Sequence, residues 1–343
     1  LSVFWGFISG SFLLAKKAVR RIALQFDDNA LVPFLFGEHD SHLTRIEEDL
    51  GVEIASRGNE VVISGNKQQL RAAQSVFDIL WERLQQGMDV GIEEVTAAVE
   101  VVKSPMDAAS RETAIAALKE TRVTVKARSK QIAPRTPKQA EYLDAIRANH
   151  LVFGLGPAGT GKTFLAVAQA VIMMQSGEID RLILCRPAVE AGERLGFLPG
   201  TMQEKIDPYL RPIYDALHDM LPAEQIARKL ADGTIEIAPL AFMRGRTLAN
   251  AVVILDEAQN TTVAQMKMVL TRIGEGSRMI ITGDLTQTDL PSGMKSGLKD
   301  AIDVLSGVKD IAFVAFDEAD VVRSRLVKSI VSAYERRDSG AKI

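Results

Sequence analysis

Apolar residues fall along this chain in three textures, and each predicts a different kind of structure. Ile22–Phe26 alternates as a short strand does, Ala30–Phe36 is apolar, and Ser41–Leu50 repeats Leu43, Ile46 and Leu50 at helical spacing until Gly51 stops it. Val52–Ala55 and Val61–Ile63 read as a hairpin about Arg57-Gly58-Asn59, because Gly and Asn tolerate positive φ. Lys67–Gln86 sets Leu70, Ala73, Phe77, Leu80, Trp81 and Leu84 on one face of a longer helix. Residues 22–87 therefore predict a small α+β module.

The texture changes to Ala, Glu, Val and Lys over 88–134, without a continuous core pattern, which predicts a helical, basic connector. Its end gathers Lys119, Arg122, Lys126, Arg128, Lys130, Arg135 and Lys138 against Glu120 alone. Such a stripe is either a solvated face or a phosphate-contacting one.

Over 135–343 short apolar runs alternate with helical stretches: Leu151–Leu155, Leu182–Cys185, Ile235–Ala238, Val252–Leu255, Met279–Thr282 and Ile311–Ala315. Runs of this kind between helices predict a parallel sheet covered on both faces, which places its ligands at the carboxyl ends of its strands.

Composition narrows this picture. A length of 343 residues predicts two domains at about 100 to 200 residues each, or one large domain with an appendage. With 47% apolar and 25% charged residues, disorder throughout is excluded. A net charge of −3 gives no field that gathers polyanions, so a nucleic-acid site would have to be a local patch. The single cysteine, Cys185, forms no intramolecular disulfide, and the four histidines lack zinc-site spacing; a reducing, cytoplasmic setting is expected. Leu1–Leu14 is apolar, with Lys16, Lys17, Arg20 and Arg21 after it. A secretory signal carries its charge first, and a span needs about twenty apolar residues. Residues 1–21 are therefore expected to be an extension, either a misplaced start or a disordered segment, with peripheral membrane contact the lesser alternative.

The most specific chemistry is Gly156-Pro157-Ala158-Gly159-Thr160-Gly161-Lys162-Thr163, which fits G-x-x-x-x-G-K-[ST] between an apolar strand and a helix. Glycines let the backbone curl so that its N–H groups and the helix N-terminus face phosphates. Lys162 would reach the β and γ oxygens of ATP, and the Thr163 hydroxyl would bind Mg²⁺. Next, Val252-Val253-Ile254-Leu255 releases Asp256 and Glu257 at a strand end, where Asp256 can hold Mg²⁺ and Glu257 can polarise the attacking water. Ile280-Ile281-Thr282-Gly283-Asp284-Leu285-Thr286-Gln287 brings an amide, Gln287, within reach of the γ-phosphate or the water. Upstream, Gln139 offers an amide to the adenine edge.

Together GPAGTGKT, VVILDEAQNTT, TGDLTQTDLP, RPAVEAGERLGFLPG at Arg186–Gly200 and MRGRTL at Met243–Leu248 resemble the PhoH family of P-loop ATPases, whose core is similar to the first motor domain of superfamily 1 helicases. The resemblance covers about residues 120 to 335. It implies a RecA-like α/β fold, ATP binding and hydrolysis, a cytoplasmic setting, a link to RNA metabolism and a ring-like oligomer. The N-terminal module fits the bacterial PhoH-like type and resembles a KH domain in its strand, helix, loop, helix order. KH domains clamp a nucleic-acid backbone with GXXG. Here the corresponding place is Gly37-Glu38-His39-Asp40, whose carboxylates repel phosphate, so an assembly or partner surface is expected instead. His39 and His42 fall short of a metal site on ligand count and are expected to face solvent.

A monomeric helicase closes a second motor domain over ATP. The 56 residues after Gln287 are too few for one, so an arginine finger is expected from a neighbouring subunit of a homo-oligomer. The candidates are Arg323 and Arg325, followed by Arg194, Arg244 and Arg246. Mg²⁺-dependent ATP hydrolysis coupled to RNA, or to an RNA-processing partner, is the leading reading. A P-loop kinase and an ATP-stabilised assembly module are the alternatives; Glu257 and Gln287, which prepare water, argue for hydrolysis.

Overall fold

The computed structural model of the chain describes residues 20–104, 113, 115–116, 132–187, 202–291, 293–321 and 330. The expectations for Leu1–Leu14, for Lys119–Lys130 and for Arg194, Arg323 and Arg325 concern residues outside that set.

The N-terminal module runs β1 (Arg20–Gln25), α1 (Val32–Phe36), α2 (Ser41–Leu50), β2 (Glu53–Arg57), β3 (Glu60–Gly65) and α3 (Lys67–Gln85). Its antiparallel sheet has the order β1-β3-β2, and the predicted hairpin turns at Gly58-Asn59, with Arg57 opposite Glu60. Asn66 starts α3 with a capping box: its side chain accepts from the Gln68 and Gln69 N–H groups, and Gln69 accepts from the Asn66 N–H. Leu35, Ile46, Val61, Ile63, Phe77 and Leu80 are fully buried between sheet and helices.

Two expectations change here. The stretch read as connector contributes α4 (Ile92–Lys103), whose Val95, Ala98, Val99 and Val102 belong to the module's own core. Small side chains let this helix pack closely without the large apolar residues that mark a core stripe. His42 does not face solvent either. It lies on α2, is buried, and its Nδ1 sits 3.1 Å from the Leu35 carbonyl oxygen; His39 is exposed, as expected.

The rest of the chain builds one six-stranded sheet in which every pairing is parallel: β4 (Leu151–Leu155), β5 (Arg181–Arg186), β6 (Ile235–Pro239), β7 (Ala251–Leu255), β8 (Arg278–Gly283) and β9 (Ile311–Ala315), in the order β6-β5-β7-β8-β4-β9. All six predicted strands are present. Helices α5 (Pro137–Ala148), α6 (Lys162–Gln175), α7 (Met202–Met220), α8 (Ala223–Ala231), α9 (Val263–Leu270) and α10 (Gly297–Leu305) complete the α/β architecture. Alternate residues of one strand feed two cores. Val152, Leu184, Val252, Ile254 and Ile280 pack with α5, α6, α7 and α8, whereas Phe153, Ile183, Val253, Leu255 and Ile281 pack with α9 and α10. Each such side chain contributes about 1.5–3 kcal/mol on burial, so a strand apolar on both faces is stable only in the middle of such a sandwich. No helix among the described residues is long and apolar enough to cross a membrane.

Candidate phosphate-binding site

Strand register assembles the site. Leu255 of β7 pairs with Cys185 of β5 and Ile281 of β8, so the next residues, Arg186, Asp256 and Thr282, form a row across three strand ends. Leu155 pairs with Gly283, which lays the start of the P-loop beside the end of β8. Strand β8 thus separates β4 from β7 by two strand spacings, about 10 Å.

Gly156 leaves β4 at φ 137°, and a Cβ there would stand 2.4 Å from the Phe316 carbonyl oxygen, so only glycine fits. The Gly156 N–H donates to the Gly283 carbonyl at 3.1 Å, and the Phe316 N–H to that of Leu155 at 2.7 Å, tying the loop to both neighbouring strand ends. Helix α6 begins at Lys162. The Lys162 ammonium is buried and donates to the carbonyls of Gly156 (2.7 Å) and Pro157 (2.8 Å), with Thr160 Oγ1 at 3.3 Å.

Asp256 receives two hydroxyls on one oxygen: Thr163 Oγ1 donates to Oδ1 at 2.6 Å and Thr282 Oγ1 at 2.7 Å. Its Oδ2 lies 3.8 Å from Arg186 Nε. Glu257 sits at φ 53°, a left-handed conformation that costs a non-glycine residue about 1–2 kcal/mol. Side-chain bonds offset this strain. Arg186 Nη2 donates to Glu257 Oε1 at 2.7 Å and Gln259 Nε2 donates to Oε2 at 2.5 Å. Gln259 is buried, and its Oε1 accepts the Asp284 N–H at 3.1 Å, so the acidic strand end and the β8 loop share one amide. Asp284 Oδ1 takes the Thr286 N–H and hydroxyl, while Oδ2 is buried and finds no hydrogen-bond partner among the described residues.

These three segments line a single cavity of about 470 Å³, which includes Ala158, Gly159, Gly161, Lys162, Thr163, Asp256, Glu257 and Gln287. Its lining also holds Asp215, Asp219 and Asp284, so among the described residues five carboxylates face two cations, Lys162 and Arg186. A polyphosphate entering there needs a divalent cation to lower the repulsion, and the hard oxygens of Thr163 and Asp256 are the donor chemistry Mg²⁺ prefers.

Other sequence-predicted residues lie apart. Gln139 is buried behind the loop. Its Nε2 donates to the Thr160 carbonyl at 3.0 Å and its Oε1 accepts the Arg135 N–H at 2.7 Å, so its amide braces the P-loop and lines a different cavity. Arg246 is held by both oxygens of Glu236 at 2.6 and 2.7 Å, which raises its pKa, whereas Arg244 is exposed. Arg135 pairs with Glu93 and Glu94, and Lys138 with Glu141, so this end of the basic stripe is partnered locally. Burial pushes the Cys185 thiol up to about 12, which leaves it protonated and unsuited to nucleophilic work.

Sequence reasoning assigned no task to Arg186, Thr282, Gln259 or Asp284. For Arg186 and Thr282 a signal exists: each is the first polar residue after a buried apolar run, the position that also marked Asp256.

The sequence profile of the family described as "PhoH-like protein" matches residues 131–335. The chain is 49% identical over 304 residues to the PhoH-like protein of Bacillus subtilis (strain 168), covering 89% of this chain and 94% of that protein. It is 48% identical over 306 residues to the PhoH-like protein of Mycobacterium tuberculosis (strain ATCC 25618 / H37Rv), covering 89% and 85%. Protein PhoH of Escherichia coli (strain K12) matches over 205 residues at 48% identity, 59% of this chain and 58% of that one.

Proposed function

The chain belongs to the PhoH-like family, and from that premise we propose that it binds ATP with Mg²⁺ on the P-loop, hydrolyses it, and couples the cycle to RNA or to an RNA-processing partner as a homo-oligomer. The observation that carries this reading is the shared Asp256 oxygen, held by the hydroxyl that follows the P-loop lysine and by Thr282, with Glu257 clamped beside it.

Lys162 exchanges the carbonyls of Gly156 and Pro157 for phosphate oxygens. Thr163 and Asp256 would hold Mg²⁺, which would supply positive charge against the triphosphate when bound. Glu257, freed from Arg186, accepts a proton from the attacking water, and Gln287 orients that water against the γ-phosphate. The neighbouring subunit supplies Arg323, with Arg325, Arg194 and Arg244 as further candidates. Such a finger is worth about 10³ to 10⁵ in rate in comparable phosphoryl-transfer systems. Arg246, committed to Glu236, is the weakest of the set.

The test is phosphate release with and without single-stranded RNA, on protein whose mass is determined in parallel. Release that depends on Mg²⁺ and on Lys162 and rises with RNA is expected. ATP binding without release would support the assembly alternative, and a one-chain mass with full activity would remove the neighbour's finger.

A further inference from the structure

A second cavity, of about 790 Å³, lies on the other side of the P-loop, and both halves of the molecule wall it. The N-terminal module supplies Leu31 and Phe34, the end of α3 and the Gly87–Gly91 turn; the sheet domain supplies Ile132, Gln139 and the first turn of α6. A volume of about 300–1,000 Å³ suits a nucleoside-sized ligand. The two cavities meet at the loop, since Gly159, Gly161, Phe164 and Asp219 line both. A ligand with its charged end on the P-loop amides therefore runs its other end into a space walled by Leu84, Met88, Val90, Phe164 and Leu165. A planar heteroaromatic ring, apolar on its faces, fits such walls.

The module's wall is anchored to the sheet domain. Arg135, three residues after Ile132, bonds Glu93 at 2.7 Å and Glu94 at 2.8 Å, which fixes the start of α4 to the segment entering the sheet domain. Arg83 is 5% exposed, and its Nη1 donates to the Pro134 carbonyl at 3.2 Å. Among the described residues its Nε has no hydrogen-bond partner, but that atom is buried away from the cavity surface, so Arg83 braces the wall through Pro134 and offers no donor there to a ligand. Phe34 is 61% exposed on the same wall, an aromatic face with nothing packed over most of it. The amide of Gln139, by contrast, is already spent on backbone partners.

We infer that this seam cavity takes the base and ribose of the nucleoside triphosphate whose phosphates lie on the P-loop. The N-terminal module is then one wall of the nucleotide site, drawn against the sheet domain by a complete nucleotide and not by inorganic polyphosphate. The inference rests on the nucleotide reading above and adds the module to it.

The experiment compares ATP with inorganic tripolyphosphate, both with Mg²⁺, on the full chain, by calorimetry and by hydrogen exchange over residues 83–94. ATP should slow exchange there and tripolyphosphate should not. Val90→Trp, which projects a bulky ring into the cavity, should weaken ATP about tenfold and leave tripolyphosphate unchanged. Phe34→Ala, at an exposed position that does not threaten folding, should weaken ATP about threefold. Wild-type protein that binds both ligands, with equal exchange over 83–94 and no loss of ATP affinity in either variant, overturns this inference alone. Protein that binds neither ligand overturns the phosphate site and this inference with it.

Discussion

The two sheets of this molecule bury their strands in opposite ways. In β1 of the N-terminal module only alternate residues are even half-buried, and one face of that sheet meets solvent. In β7 every residue from Ala251 to Leu255 is fully buried. Polar groups follow the same division. The module buries His42 and Arg83, whereas Thr160, Lys162, Asp256, Gln259, Thr282 and Asp284 are buried together at the carboxyl ends of the parallel strands. An antiparallel sheet joined by hairpins sends its strand ends to opposite edges. A parallel sheet brings all its carboxyl ends to one edge, where polar residues must find partners, and here neighbouring side chains and loop carbonyls supply most of them.

Four substitutions would break or sharpen that contrast. The largest effect is expected from Glu257→Gln, which keeps the shape and removes the proposed proton acceptor: phosphate release should fall about 10²- to 10⁴-fold with nucleotide binding retained. An unchanged rate would take the water chemistry away from Glu257. Thr282→Val comes next. Asp256 Oδ1 keeps the Thr163 hydroxyl but loses its buried second donor, at about 1–3 kcal/mol, so a Mg²⁺ titration of the rate should show roughly a tenfold loss. In the module, Asn66→Ala removes the capping box and should lower stability in a urea titration by about 1 kcal/mol while leaving turnover as it was. A matching loss of turnover would mean the two regions are not separable at that end. The smallest effect is expected from Asp40→Gly. Asp40 sits at φ 57°, so glycine should stabilise the module by up to about 1 kcal/mol. The same change restores the GXXG pattern, and a gain in single-stranded RNA affinity would show that the Asp40 carboxylate had kept a KH-type clamp closed.

The legible parts of the site were those written in consecutive residues. The loop from Gly156 to Thr163, the acidic pair after Val252–Leu255 and the loop ending at Gln287 each carry their chemistry within a few positions of a strand end. The structure sets all three around one cavity. Arg186 and Thr282 were not assigned because their roles depend on which strand lies next to β7, and strand order is not local information. Helix α4 escaped as part of the core because Ala and Val at its contact positions look the same in a connector as in a tight helix pair. Gln139 was legible as a polar residue upstream of the loop, but its partners, Thr160 and Arg135, became visible only with the backbone folded around it.

The amino-acid sequence by itself determined the alternation of buried strand and helix, the curl of the P-loop and the carboxylates released beside it, because backbone freedom and apolar runs act over a few residues. Only the tertiary structure decided that β8 lies between β4 and β7, that Arg186 and Thr282 flank Asp256, and that the N-terminal module walls the far side of the loop. Those placements come from register and packing between segments far apart in the chain, where each contact is stable only after the others have formed.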